Sequence, residues 1–128
     1  NAILESNIFN NVFKGVWLDG GDVSIVNNEF IPFNNNSDFG ILITSSTGIV
    51  NVNNNLLGSS TFNFNSTAIW LQSNNDVDAT YNYWGQFIAG QEPKDRITIT
   101  DIDNDNITGD VDYTPWYSDE LKTIRLGN

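Results

Sequence analysis

Carboxylates supply most of the chemistry open to this sequence. Asp101, Asp103 and Asp105 fall on alternate residues, and Asp110 and Asp112 complete five acids within twelve positions. Oxygen ligands in that alternation resemble the first half of a calcium loop, so these five residues are candidate calcium ligands. The match to an EF-hand loop stops there, because Asn106 stands where glycine makes the sharp turn and Asp112 where a bidentate glutamate closes the site. The competing reading is a solvated acidic turn. Other chemistry is excluded outright: there is no histidine and no cysteine, which removes imidazole acid–base catalysis, thiolate nucleophiles, zinc sites built on those ligands and disulfides. Two carboxylates can still run glycoside hydrolysis. Here, however, Asp19, Asp22, Asp38, Asp76 and Asp78 fall at turns, and four of the five cations (Lys94, Arg96, Lys122 and Arg125, but not Lys14) lie within or beyond residues 85–106. No acid–base constellation converges, and the expectation is a non-catalytic protein with no required cofactor, calcium being the one candidate.

Sixteen acidic residues against five basic ones give a net charge of −11, which repels a phosphate backbone or an anionic membrane surface. Nucleic acid is excluded as a partner on that ground. No apolar run is long enough to insert in a bilayer, and the start Asn-Ala-Ile-Leu-Glu lacks the basic and apolar regions of a signal peptide. The sequence also contains no methionine, so it is expected to be a processed product or a piece of a longer, exported chain at the cell surface or outside the cell. Three N-x-S/T triplets make Asn35, Asn65 and Asn106 candidate glycosylation sites in that setting.

The elements that must position these groups are read from a repeat. Asparagine accounts for 21 of the 128 residues, yet apolar residues are threaded through it at regular places. Four octets align: AILESNIF (2–9), VSIVNNEF (23–30), IVNVNNNL (49–56) and VDATYNYW (77–84), at spacings of 21, 26 and 28 residues. A second element recurs between them, a small residue followed by an apolar triplet: Gly15-Val16-Trp17-Leu18, Gly40-Ile41-Leu42-Ile43 and Ala68-Ile69-Trp70-Leu71. Each unit thus holds short strands parted by Asn, Ser, Gly and Asp turns. A unit of this size cannot bury its own apolar face, so successive units must stack, each strand pairing in parallel with its copy in the next. The predicted fold is all-β: a parallel β-helix, or solenoid, of about four to five coils.

In such a stack the sixth column of the octets, Asn7, Asn28, Asn54 and Asn82, is expected to form an amide ladder at one corner. The other reading of these asparagines is as left-handed turn residues with solvated side chains. Trp17, Leu42 and Trp70 are expected to stack on the outer face of the second element. There they form either a platform for sugar rings or a protein contact, or they are covered by loops carrying Phe33, Phe39, Phe62 and Phe64.

The I-x-x-N-x-F pattern followed by G-I-x-L resembles the repeats of right-handed parallel β-helix proteins of the pectin-lyase-like superfamily, of the bacterial and archaeal cell-surface type. The ending is similar as well: Asn82-Tyr83-Trp84-Gly85, then Gly109-Asp110-Val111-Asp112-Tyr113-Thr114-Pro115-Trp116. The resemblance covers nearly the whole chain and implies a right-handed helix closed by an aromatic C-terminal cap of Trp84, Tyr113, Pro115 and Trp116. It divides the chain into coils (1–84), an irregular excursion and strand (85–106), and a final coil with the cap (107–128). Nothing covers the first octet, so the expected function is a structural or adhesive segment that associates end to end with upstream coils or another subunit. The alternatives are a carbohydrate-binding module and the non-catalytic part of a polysaccharide-active enzyme, with polysaccharide as partner.

Overall fold

The computed structural model describes residues 1–12, 14–32, 39–44, 48–58, 67–87, 89–100 and 107–127. Over these residues the chain is all-β with parallel sheets. In chain order the strands are β1 (Ala2–Glu5), β2 (Ile8–Val12), β3 (Lys14–Leu18), β4 (Val23–Val26), β5 (Glu29–Pro32), β6 (Phe39–Ile43) and β7 (Val50–Asn53). They continue as β8 (Thr67–Leu71), β9 (Val77–Asp78), β10 (Ile97–Ile99), β11 (Val111–Asp112), β12 (Trp116–Tyr117) and β13 (Arg125–Leu126), with a 3-10 turn at Pro93–Arg96.

Three parallel ladders receive these strands in rotation. The first sheet runs β1-β4-β7-β9-β11 and the third β10-β8-β6-β3. Between them lies the β2-β5 pair, continued by single parallel bridges from Glu29 to Leu56, Leu56 to Tyr83 and Tyr83 to Tyr117. Among the described residues only the terminal β12-β13 pair is antiparallel. Each strand therefore pairs with its counterpart one repeat later, at offsets of 21, 27, 27 and finally 34 residues in the first sheet and of 25, 28 and 28 in the third. Short strands rich in Val, Ile and Trp suit such pairing, because the side chains that leave one sheet face still touch the strand above and below.

The octets need one correction. Val23 pairs with Val50, not Ile49, so the third repeat unit begins one residue later than the sequence alignment placed it, at Val50–Leu57. Side-chain direction alternates along a strand, and a one-residue slip exchanges the inner and outer sets. Val50 and Val52 are accordingly buried, while Ile49 is 66% exposed.

One contiguous apolar core draws on all three sheets: Ile25, Val52 and Ala79 from the first, Phe30, Leu57 and Trp84 from the second ladder, and Ile41, Ile43, Ile69 and Leu71 from the third. Full burial of each such aliphatic side chain contributes about 1.5–3 kcal/mol. Corners are fixed by backbone conformation. Ser6, Asn27, Asn54 and Tyr81 all have φ near +60°, so each turn from the first sheet to the second passes through one left-handed residue at the same place in the repeat. Where the third sheet begins, the backbones come too close for a side chain: a Cβ on Gly40 would lie 2.8 Å from Ala68 O.

Candidate functional site

The residue after each left-handed corner is an asparagine turned inward. The ladder consists of Asn7, Asn28, Asn55 and Asn82, and Asn54, expected as its third member, is instead an exposed corner residue at φ +60°. The two readings of the asparagines thus both hold, on adjacent residues. Every rung has the same form. Asn7 donates from its backbone N–H (2.9 Å) and Nδ2 (3.0 Å) to Asn28 Oδ1. Asn28 does the same to Asn55 Oδ1 at 2.9 and 3.2 Å, and Asn55 to Asn82 Oδ1 at 2.8 and 3.1 Å. The second Nδ2 proton goes to strand carbonyls, such as Leu4 O and Val26 O for Asn28. From amide to amide the donors therefore point toward the C-terminal end, although Asn28, Asn55 and Asn82 Nδ2 each also donate back to a carbonyl of the preceding repeat, and Asn7 Oδ1 is left with no donor among the described residues.

That end presents three strand edges. β1 and β3 are the outermost strands of their sheets, and β2 pairs only with β5. The inward residues on these strands are only partly covered: Leu4, Phe9, Val16 and Leu18 remain half-buried where Ile25, Phe30, Ile41 and Ile43, their register partners one repeat on, are buried. Phe9 lies flat on Phe30 at 4.7 Å between centroids.

Trp17, Leu42 and Trp70 do stand in one register column of the third sheet, with Thr98 next in line. Their exposure is uneven: Trp17 is 69% exposed and Leu42 only 8%. Both indoles reach forward by one repeat, Trp17 Nε1 donating to Thr44 Oγ1 (3.0 Å) and Trp70 Nε1 to Thr100 O (3.0 Å). Phe39 lies in β6 rather than in a covering loop, and meets Trp70 edge-on at 6.1 Å. Phe33, Phe62 and Phe64 lie outside the described residues, as do the sequon residues Asn35, Asn65 and Asn106.

Of the candidate calcium ligands, Asp101, Asp103 and Asp105 lie outside the described residues. Asp110 and Asp112 sit at the last strand of the first sheet, where each carboxylate accepts from its own neighbourhood: Asp110 Oδ1 from Val111 N (2.9 Å), Asp112 Oδ1 from Thr114 N (3.3 Å). Asp22 and Asp76 accept from the backbone of the next repeat, at Ile49 N and Asp110 N. Among the described residues no three acidic groups are gathered as a metal site would need.

Aromatic side chains pack together at the C-terminal end, where β10 and β11 are the outermost strands of their sheets. Trp84 is fully buried, edge-on to Tyr113 at 6.4 Å, and its indole N–H has no acceptor among the described residues. Tyr113 donates to Glu92 Oε1 (2.8 Å); burial first, and then that bond, hold its phenol above the ordinary tyrosine range. Sequence reading missed Arg96. It is buried, donates to Trp84 O and Gln86 O, and lies 4.3 Å from the centre of the Phe87 ring, whose other contact is Trp116, edge-on at 5.4 Å. Its place in Glu92-Pro93-Lys94-Asp95-Arg96 reads as a solvated charged turn and carried no signal of this.

Beside that cluster opens a cleft of about 510 Å³. Tyr83, 3% exposed, lies at its base, Phe87 and Trp116 line it, and Gln86, Asp119 and Glu120 stand among its outer residues. Burial, and next the Glu120 carboxylate, raise the Tyr83 phenol above its usual range, so its hydroxyl stays protonated at neutral pH. Asp119 accepts from Thr123 N, Thr123 Oγ1 and Ile124 N, which orders the turn between β12 and β13.

Compared with known proteins, the chain matches no protein-family model, no curated protein and no solved structure.

Proposed function

We propose that the chain is a segment of a right-handed parallel β-helix from an extracellular or cell-surface protein, structural or adhesive rather than catalytic, and that it works by receiving a further repeat at the β1–β2–β3 end. The observation that carries this reading is the direction of the asparagine ladder together with the three strand edges at the same end. An incoming unit with an asparagine in the ladder column would place its N–H and Nδ2 on Asn7 Oδ1, as Asn7 does on Asn28. Its strands would pair with β1, β2 and β3 and cover Leu4, Phe9, Val16 and Leu18. Two copies meeting through this end would bring acceptor against acceptor at Asn7, which disfavours a two-fold dimer. The resemblance of the repeats and ending to surface β-helix proteins supports the location.

Duplication tests this. Residues 23–49 inserted directly ahead of Ala2 would place Ala2 where Val50 normally follows, and the added Asn28 copy over Asn7. In hydrogen exchange the amides of β1, β2 and β3, including that of the half-buried Phe9, are expected to gain protection in the duplicated form, and urea unfolding should show it more stable than the unduplicated chain. Protection and stability unchanged by the added repeat sink the reading. Carbohydrate binding through Trp17 has that indole's exposure in its favour; loss of glycan binding in Trp17→Ala would support it.

A further inference from the structure

We propose that the cleft beside the C-terminal aromatic cluster binds a neutral oligosaccharide, one sugar ring lying against Trp116 and Phe87 and its hydroxyls bonded by the Tyr83 hydroxyl and the Gln86 amide. The site is independent of end-to-end assembly, which uses the opposite end of the sheets. A volume of about 510 Å³ falls within the range of about 300–1,000 Å³ typical of small-ligand clefts. Its lining pairs aromatic rings with scattered polar groups, the combination that fits a molecule with apolar C–H faces and a rim of hydroxyls.

Three features favour that ligand over others. Tyr83 is almost wholly buried, yet its hydroxyl takes no hydrogen bond among the described residues and lies within electrostatic reach of Glu120 and Asp119, both of which line the cleft. The hydroxyl is not among the buried polar atoms left without a partner, so it opens to the cleft, where a ligand hydroxyl can take the place of water. The Gln86 side chain and the Trp116 indole N–H are likewise uncommitted among the described residues, and each can serve a hydroxyl. Anions are disfavoured, because Asp119 and Glu120 stand at the cleft and Arg96, the one buried cation among the described residues, donates to Trp84 O and Gln86 O behind the Phe87 ring. An ammonium ligand fits less well. The Asp119 oxygens already accept from the 123–124 backbone and Thr123 Oγ1, and Glu120 is engaged in the protein. Arg96 instead fixes the aromatic wall: it anchors Phe87, which in turn sets the Trp116 ring, so the platform is formed before any ligand arrives.

The test is isothermal titration of the full chain with cellohexaose, maltohexaose and mannohexaose, and with hexagalacturonate as the charged counterpart. At least one neutral sugar is expected to bind with a Kd of about 10 μM to 1 mM, and hexagalacturonate to bind none. Tyr83→Phe should weaken binding about two- to tenfold, the loss of one hydrogen bond, and Trp116→Ala by about tenfold or more. Because Trp116→Ala also removes cap packing, Gln86→Ala serves beside it: that side chain is exposed, and its loss should weaken binding while leaving near-ultraviolet circular dichroism unchanged. Trp17→Ala should leave binding intact. The proposal is overturned if none of the three neutral sugars binds at about 5 mM, if hexagalacturonate binds as well as they do, or if binding survives Tyr83→Phe and Gln86→Ala and disappears in Trp17→Ala.

Discussion

Replacing Asn55 by leucine separates the ladder from the corner in one measurement. Asn55 is wholly buried. Its Oδ1 accepts from Asn28 N and Nδ2, and its Nδ2 donates to Ile25 O (2.9 Å), Asn53 O (3.1 Å) and Asn82 Oδ1 (3.1 Å). Leucine keeps the volume and the backbone bond from residue 55 N to Asn82 Oδ1. What it strands is the Asn28 N–H, which loses its acceptor, and the carbonyls of Ile25 and Asn53, which lose a donor. At about 1–3 kcal/mol for each buried group left unsatisfied, the loss is about 3–9 kcal/mol. Asn28 Nδ2 adds little, because it retains Leu4 O and Val26 O. Burial of the leucine side chain returns about 1.5–3 kcal/mol, leaving a net destabilisation of about 2–6 kcal/mol.

Asn54 gives the control. Its side chain is exposed, its φ is +60°, and its carbonyl accepts from Lys122 Nζ (2.8 Å), a bond that any residue preserves. Asn54→Gly relieves the left-handed strain and should shift stability by no more than about 0.5 kcal/mol. Urea unfolding followed by tryptophan fluorescence, at unchanged m-value, reads both variants, and amide exchange at Asn28 reports the stranded donor. A cost below about 1 kcal/mol for Asn55→Leu, or an equal cost for the two variants, would refute the ladder as drawn.

Three more outcomes are expected. Gly48→Ala should cost about 3 kcal/mol or more, because φ is +111° and the new Cβ would lie 2.2 Å from Gly21 O, whereas Gly21→Ala, at φ +84° with open space around it, should cost only about 1–2 kcal/mol; thermal or urea unfolding compares them. Arg96→Met should cost about 2–5 kcal/mol and flatten the near-ultraviolet signal of the Phe87–Trp116 cluster, with Arg96→Lys giving incomplete rescue because one ammonium cannot span both carbonyls as the guanidinium does. The hydrogen bond from Thr123, and then that from Ile124 N, hold the Asp119 carboxyl below the usual carboxylate range, so its support of the β12–β13 turn is complete above that range and lost as pH falls through the lowered folded value; Thr123 and Ile124 amide exchange should accelerate there, and should be insensitive to that pH change in Asp119→Asn.

Strand class and parallel pairing were legible because each repeat states them again: Val16, Ile41 and Ile69 recur beside Leu18, Ile43 and Leu71, and no chance pattern repeats two inward columns in step. The third octet was misframed because residues 49–57 double every informative position, offering Ile49 or Val50, Asn54 or Asn55, Leu56 or Leu57. The deciding signal lay in the third column. Leu4 and Ile25 are apolar there, and only the frame beginning at Val50 continues them with Val52; the frame beginning at Ile49 puts Asn51 in the core. Inward parity should therefore outrank asparagine alignment when the two conflict. The cleft was not legible at all, since Tyr83 and Phe87 lie on one short stretch and Trp116 on a later one, and no repeat copies Phe87 or shows that the two stretches meet.

The frame matters for function because the ladder has a direction only when the right asparagines are joined. With Asn54 in the series, the chain of donors would break at its middle rung, and Asn7 Oδ1 would be one more solvated amide. With Asn55, each rung fixes the next, and the open acceptor becomes the end of a continuous polar series lying against an apolar core. The two ends of the sheets then differ in kind. At one, β10 and β11 are the outermost strands of their sheets, while the second ladder ends in the antiparallel β12–β13 pair beside the packed rings of Trp84, Tyr113, Phe87 and Trp116. At the other lie the backbone edges of β1 and β3, the half-covered apolar residues and the ladder acceptor, and on the function proposed above a unit of the same repeat in the same register would meet all three. On that proposed function, extension at Asn7 would continue all three ladders, whereas at the other end β13 already occupies the second ladder beside Trp116.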